Sequence, residues 1–157
     1  MEMYFVYECE KGDIRVDYNE NGVTGVFLPY DWYGEINNRE YLENEEIKKH
    51  FDDYFAGGEP KPLKLNIKVT EFQQKVFDIL LNTKIGTFMT YGDVARLIHC
   101  GSNQAIGQAL KRNPVPIIIA CHRVVGKGWD GGFGGETTGE KMEFKKFLLQ
   151  LEKKISD

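Results

Sequence analysis

"TYGDVARLIHCGSNQAIGQALKRNPVPIIIACHRVV", residues 90–125, is the stretch on which the fold turns. Thr90 can cap a short helix carrying Val94, Ala95 and Ile98. "HCGS" then turns the chain. Ser102 can cap a second short helix carrying Ala105, Ile106, Ala109 and Leu110. Asn113 and Pro114 stop it, because proline cannot continue a helix ladder. Two short helices joined by a glycine-containing turn predict a helix-turn-helix. The outer face of the second helix is small and polar: Asn103, Gln104, Gly107, Gln108, Lys111. Small residues let a backbone approach a ligand closely. Lys111 and Arg112 place positive charge where it suits both the helix dipole and a phosphate. A helical hairpin buried in a core has the same spacing, so the pattern alone leaves both open.

The β-formers Val115 to Ile119 predict a strand, and Cys121, His122 and Arg123 follow its end. A thiol with a pKa of about 8.5 is mostly protonated at neutral pH. An adjacent base or cation raises the thiolate fraction. His122 is a candidate base, directly or through a water, and Arg123 adds positive charge. A base needs an orienting group. Asp130, Glu136 and Glu152 lie downstream, and spacing does not choose among them. The competing picture is a buried structural cysteine, since strand neighbours point to opposite faces. The position after an apolar run, the glycine-rich loop that follows and the polar helix that precedes all favour chemistry. Cys100, in the turn beside His99, reads as packing, and so does Cys9. His50, on an acidic helix, reads as surface.

Upstream, "MYFVYEC" and "DIRVDYN" are short runs of aromatic and β-branched residues. "NENG" separates the second from "VTGVFLPY", a hairpin signal. Residues 31–43 read as loop. "NEEIKKHFDDYFAGG" predicts an amphipathic helix with Ile47, Phe51 and Phe55 on one face, and "EPKPLKLNIKV" an extended linker. Further on, Thr70 and Gln73 form a capping-box pattern ahead of Phe72, Val76, Ile79 and Leu80. After "GKGWDGGFGGETTGE", a last helix carries Met142, Phe144, Phe147, Leu148 and Leu151 inward, with Glu152 on its last turn. The expected fold is α/β (α+β). Residues 1–60 make a small antiparallel-sheet lobe with a helix. Residues 61–157 make a helical, winged-helix-like domain containing the helix-turn-helix.

The 157 residues suit one domain or two small lobes. Charge is unevenly spread. Residues 1–60 hold 5 Lys/Arg and 15 Asp/Glu, whereas residues 61–127 hold 10 and 3. A basic middle in an acidic chain points to an anionic partner or to a solvated basic face. The acidic N-terminus lacks the form of a signal peptide, and no run reaches membrane-span length. Three widely spaced cysteines suit free thiols in a reducing cytoplasm. No paired Cys/His spacing suggests zinc.

"RNPVPIIIACHRVVGKG" resembles the active-site signature of the alkylguanine-DNA alkyltransferases, the methylated-DNA–protein-cysteine methyltransferases. "TEFQQKVFDILLNTKIGTFMTYGDVARLI", "YFAGG" and "KKFLLQLE" resemble other family segments, in the family's order. The resemblance implies a cofactor-free, monomeric, single-use repair protein acting on double-stranded DNA. It would flip an alkylated guanine out of the stack and take the alkyl group from its O6, or from O4 of alkylated thymine. Cys121 would be the acceptor, His122 its activator through a water and Glu152 the orienting carboxylate. Tyr91 would help rotate the nucleotide and stabilise the leaving guanine. Asn113 would join the DNA-binding helix to the active-site strand, and Arg123 would be structural. Thr90, Ser102, Asn103, Gln104, Ala105, Gly107, Gln108 and Lys111 would meet DNA, and Leu110, Val124 and Phe133 would wall the pocket. The sequence departs from the family at Gln104 (usually arginine), at Ala120 (usually proline) and at Phe133 (usually tyrosine). A relative that binds alkylated DNA without repairing it is the alternative, but such relatives lack the cysteine.

Overall fold

A computed structural model describes residues 1–32 and 36–156 of the chain. It divides into two compact units, Met1–Lys68 with Pro114–Pro116, and Val69–Asn113 with Ile117–Asp157. The sequence put the boundary at residue 60, but the linker up to Lys68 packs with the first unit. Leu65 bridges to Val23 there.

In the first unit, β1 (Met3–Cys9), β2 (Gly12–Asn19) and β3 (Gly22–Phe27) form an antiparallel meander, as the hairpin signal predicts. Within the stretch expected as loop, Glu40–Tyr41 form β4, which pairs in parallel with β1. Residues 33–35 of that stretch lie outside the described residues. Ile14, Val16 and Tyr18 alternate along β2 and are buried, because strand side chains on one face recur every second residue. Helix α1 (Glu45–Phe55) starts at Asn44, whose side chain accepts from the Ile47 N–H. Tyr7 from the sheet packs on Phe51 of α1, ring centroids 5.3 Å apart.

His50 is buried, contrary to the surface position expected for it. It shares the stripe Ile47, His50, Phe51, Tyr54, the i, i+3, i+4, i+7 spacing of a core-facing helix. Its Nδ1 lies 2.8 Å from the Lys61 carbonyl. Burial lowers its pKa even so.

In the second unit, α2 (Glu71–Leu81) carries the complete Thr70–Gln73 capping box. Strand β5 (Met89–Thr90) leads directly into α3 (Tyr91–Leu97), and α4 (Asn103–Lys111) follows after a turn. Thr90 and Ser102 cap these helices as expected. Strand β6 (Val124–Val125) pairs in parallel with β5. In that parallel register Tyr91 follows Thr90 as Gly126 follows Val125, so the first turn of α3 lies beside the residues that come after β6. Helix α5 (Glu140–Ser156) closes the unit.

The strand expected over Val115–Ile119 does not form. Pro114 and Pro116 have no N–H to give a ladder. Pro114 instead accepts from the Val26 N–H at 2.9 Å, and Ile117 takes a positive φ of 73°. A β-branched residue in that region is strained. The chain therefore turns sharply just before Cys121.

Candidate active site and nucleic-acid interface

Three residues, Ile118 to Ala120, separate the turn at Ile117 from the thiol, and hydrogen bonds fix their path. Asn113 Nδ2 donates to the Ile119 carbonyl at 2.8 Å, closing the loop that leaves α4. The Cys121 N–H reaches the same carbonyl at 2.7 Å. Ala120 between them has φ −77° and ψ 61°, an inverse γ-turn. Cys121, His122 and Arg123 then form a single 3₁₀ turn, and all three are buried. Asn113 thus links α4 to a turn, not to a strand. Residues of a 3₁₀ turn fan out around its axis, so the up-down alternation of a strand no longer sets Cys121 against His122.

Glu152, on the last turns of α5, is completely buried and satisfied by three donors. His122 Nε2 meets its Oε2. Arg123 Nε donates to Oε1 at 2.8 Å, and the Gly86 N–H donates to the same oxygen at 3.0 Å. Burial alone would push this carboxyl up. The His122 hydrogen bond and charge, then Arg123 and Gly86, outweigh it and hold the pKa at about 2. Burial lowers the pKa of His122, and Glu152 opposes that. The pair is a neutral imidazole on a carboxylate, the Nε2–H donating. Arg123 also donates to the Thr83 carbonyl and hydroxyl at 3.0 and 2.9 Å, so it braces α5 against the end of α2.

Burial pushes the Cys121 thiol up. The Asn113 side chain, Lys145 and nearby backbone N–H groups pull the other way without cancelling it. Lys145 was absent from the sequence reading. It is completely buried, and its Nζ donates to the Val124 and Gly132 carbonyls, each at 2.8 Å. Desolvation lowers its pKa to about 8. A signal for it exists: Met142, Lys145, Leu148, Leu149 and Glu152 form one i, i+3, i+4 row of α5.

A cleft of about 910 Å³ opens above Cys121. Asn103, Gln104, Gly107, Gln108 and Lys111 of α4 line it, together with Thr90, Tyr91, Leu110 and Phe133. The expected division of α4 holds. Ile106, Ala109 and Leu110 are buried, while Asn103, Gln104, Gln108 and Lys111 are exposed. Ser102 is exposed, with its hydroxyl turned back to the Ala105 N–H at 3.1 Å, and Ala105 is half-buried. Val124 is completely buried and is not among the cleft-lining residues.

The glycine-rich loop seats side chains. A Cβ on Gly131, whose φ is +79°, would meet the Tyr91 hydroxyl at 2.6 Å. The next residue, Gly132, donates its N–H to that hydroxyl at 3.0 Å. The loop thus holds the Tyr91 hydroxyl at the cleft that its side chain lines. Burial raises its pKa, so the hydroxyl keeps its proton. A Cβ on Gly135 would meet Lys111 Cε at 2.6 Å, so the lysine stem lies along the loop backbone.

The family model described as the 6-O-methylguanine DNA methyltransferase DNA-binding domain matches residues 71–154. The constitutive methylated-DNA–protein-cysteine methyltransferase of Bacillus subtilis is 36% identical, over 98% of this chain and 96% of its own. The methylated-DNA–protein-cysteine methyltransferase of Sulfolobus acidocaldarius is 34% identical, over 97% and 94%. The crystal structure of the Mycobacterium tuberculosis O6-methylguanine methyltransferase is similar with a TM-score of 0.83 at 27% identity, covering 100% of this chain and 96% of that one. The structure of the M. tuberculosis OGT in complex with DNA has a TM-score of 0.80 at 26% identity, covering 98% and 94%.

Proposed function

The chain belongs to the methylated-DNA–protein-cysteine methyltransferase family, and on that premise we propose that it repairs DNA by direct reversal, with Cys121 as the acceptor. The alkyl group comes from O6 of guanine or O4 of thymine in double-stranded DNA. One observation carries this: the single buried thiol of the second unit lies in the cleft that the polar face of α4 lines.

The target atom is inaccessible inside a duplex, so the base must leave the stack. The α4 face and Lys111 hold the backbone, and the base enters the cleft past Tyr91. Cys121 at rest is a thiol. Its proton passes through a water to Nδ1 of His122, whose Nε2–H stays on Glu152. The carboxylate stabilises the imidazolium so formed. The S–C bond forms as the C–O6 bond breaks, and the electron pair leaves on guanine. Tyr91, aimed into the cleft, donates to the departing base and offsets its developing charge. The thioether is not reversed, so each molecule acts once. Leu110 and Phe133 wall the cleft, and Arg123 fixes Glu152 without touching substrate. One chain holds every residue invoked, so a monomer suffices. Cys9, Cys100 and Cys121 are free thiols, which suits a reducing cytoplasm.

Incubation with duplex DNA carrying O6-methylguanine, followed by intact mass measurement, tests this. A gain of one methyl group on Cys121, lost in Cys121→Ser, is the expected outcome. Lesion-specific binding with no mass gain would make the protein a recognition factor instead.

A further inference from the structure

Trp129 lies at the turn that follows β6 and lines the same cleft as Cys121. It is 55% exposed, the most open of the large aromatic rings near the thiol, whereas Cys121 is 7% exposed and Phe133 likewise 7%. An exposed indole is ordinarily a loose one. This one is seated. A Cβ built on Gly126 would come within 2.1 Å of Trp129 Nε1 and 2.5 Å of Cδ1 and Cε2. The Trp129 N–H also donates to the Gly126 carbonyl at 3.4 Å, closing the turn. The indole therefore lies flush on bare backbone, with much of the ring open to the cleft.

We propose that Trp129 is the face on which the extruded purine stacks, a substrate-contacting residue of the alkyl-transfer site. This rests on alkyl transfer to Cys121. Two arguments carry it. First, the substrate enters tethered to its sugar and phosphate, so its alkyl carbon goes deepest, to the thiol, and its purine occupies the outer cleft. The exposure of the cleft residues runs in that order, from buried Cys121 and Phe133 to open Trp129. Second, every base presents a π face, and aromatic side chains hold unpaired bases by stacking. A ring already fixed by its turn loses little freedom when a base lands on it. A damaged base leaves the stack at lower cost than guanine does, so the alkylated purine is the one that reaches Trp129.

The chain has two tryptophans, Trp32 and Trp129. A Trp32→Phe, Cys121→Ser protein therefore reports Trp129 fluorescence without turnover. Duplex carrying O6-methylguanine is expected to quench it more than the same duplex with guanine. Equal quenching by both would make Trp129 a general DNA contact and overturn the proposal. In single-turnover transfer, Trp129→Ala is expected to raise the half-saturating duplex concentration roughly tenfold, with the limiting rate nearly unchanged. Trp129→Phe, which keeps a stacking face, should restore most of the loss. Unchanged saturation in the alanine variant, or no rescue by phenylalanine in a folded protein, would also overturn it. Should the native chain gain no alkyl mass at all, the transfer function fails first, and the quenching comparison still shows whether an extruded base meets the indole.

Discussion

Arg123 donates to Glu152 Oε1 at 2.8 Å inside a fully buried cluster, and His122 takes the other carboxylate oxygen. Orientation of the base is thus tied to the stability of the fold. Glu152→Gln keeps the shape and removes the charge, leaving Arg123 buried without its counter-ion. Breaking such a pair from one side costs about 3–5 kcal/mol. Urea unfolding should show a loss of that order, and methyl transfer should slow. A variant as stable as the parent would mean that the cluster is not closed in solution.

The depressed pKa of Glu152 also sets an acid limit. A carboxyl held at about 2, against 4.5 for the free group, stabilises the fold above pH 4.5. That contribution is lost as pH falls from 4.5 through about 2. Acid unfolding followed by circular dichroism should show the steepest loss in that window, and Glu152→Gln should flatten it.

Transfer rates carry a different pH signature. Burial lowers the His122 pKa below 6.5 and raises the Cys121 pKa above 9.0. With His122 as the proton acceptor, the rate should fall only when pH drops below the imidazole's value and stay level through neutrality. In His122→Ala the thiol must ionise unaided, so the rate should keep climbing above pH 9. A level profile in that variant would remove His122 from the proton path.

Lys145 bears the opposite sign. Its pKa is lowered from 10.5 to about 8, so its charged form is penalised in the folded state. That cost is full below about pH 8 and fades as pH rises from there toward 10.5. The melting temperature of the native chain, relative to Lys145→Met, should therefore increase between pH 7 and 9.5. The same variant leaves the Val124 and Gly132 carbonyls without their donor and should slow transfer by loosening the loop beside Tyr91.

Gln104 and Ala120 test the two departures from the family pattern. Gln104 is exposed on the α4 face, so Gln104→Arg should tighten duplex binding. If the arginine meets a phosphate, the log–log salt slope should steepen by about 0.9. Ala120 already has φ −77°, within proline's range. Ala120→Pro should stabilise the protein by about 0.4–1 kcal/mol in urea.

Local signals were the most legible part of the sequence. Thr70, Thr90 and Ser102 cap where their spacing says, because a cap involves only three or four neighbouring residues. The polar face of α4 and the hairpin of β2 and β3 were readable for the same reason. What failed depended on distant partners. The run Val115–Ile119 has strand composition, but two prolines and a hydrogen bond from Val26 bend it instead. His50 sits among acidic residues in sequence and on an apolar stripe in space. Lys145 looks like one more lysine of a solvated face, yet it shares a row with Met142 and Glu152. The choice of Glu152 over Asp130 and Glu136 needed either the family likeness or the structure, since chain distance carries no information about which carboxylate returns to the thiol.

The seat that Gly126 provides for Trp129 has a consequence for how this cleft can change by descent. At 2.1 Å from an added Cβ, the seated indole leaves no room for a side chain at 126, so any residue but glycine there would swing the ring off the turn. The reverse does not hold, because a smaller residue at 129 leaves glycine in place without conflict. Loss of the glycine therefore costs the seat, whereas loss of the indole costs only the ring. A lineage that has once filled position 126 regains the seated indole only by restoring glycine there.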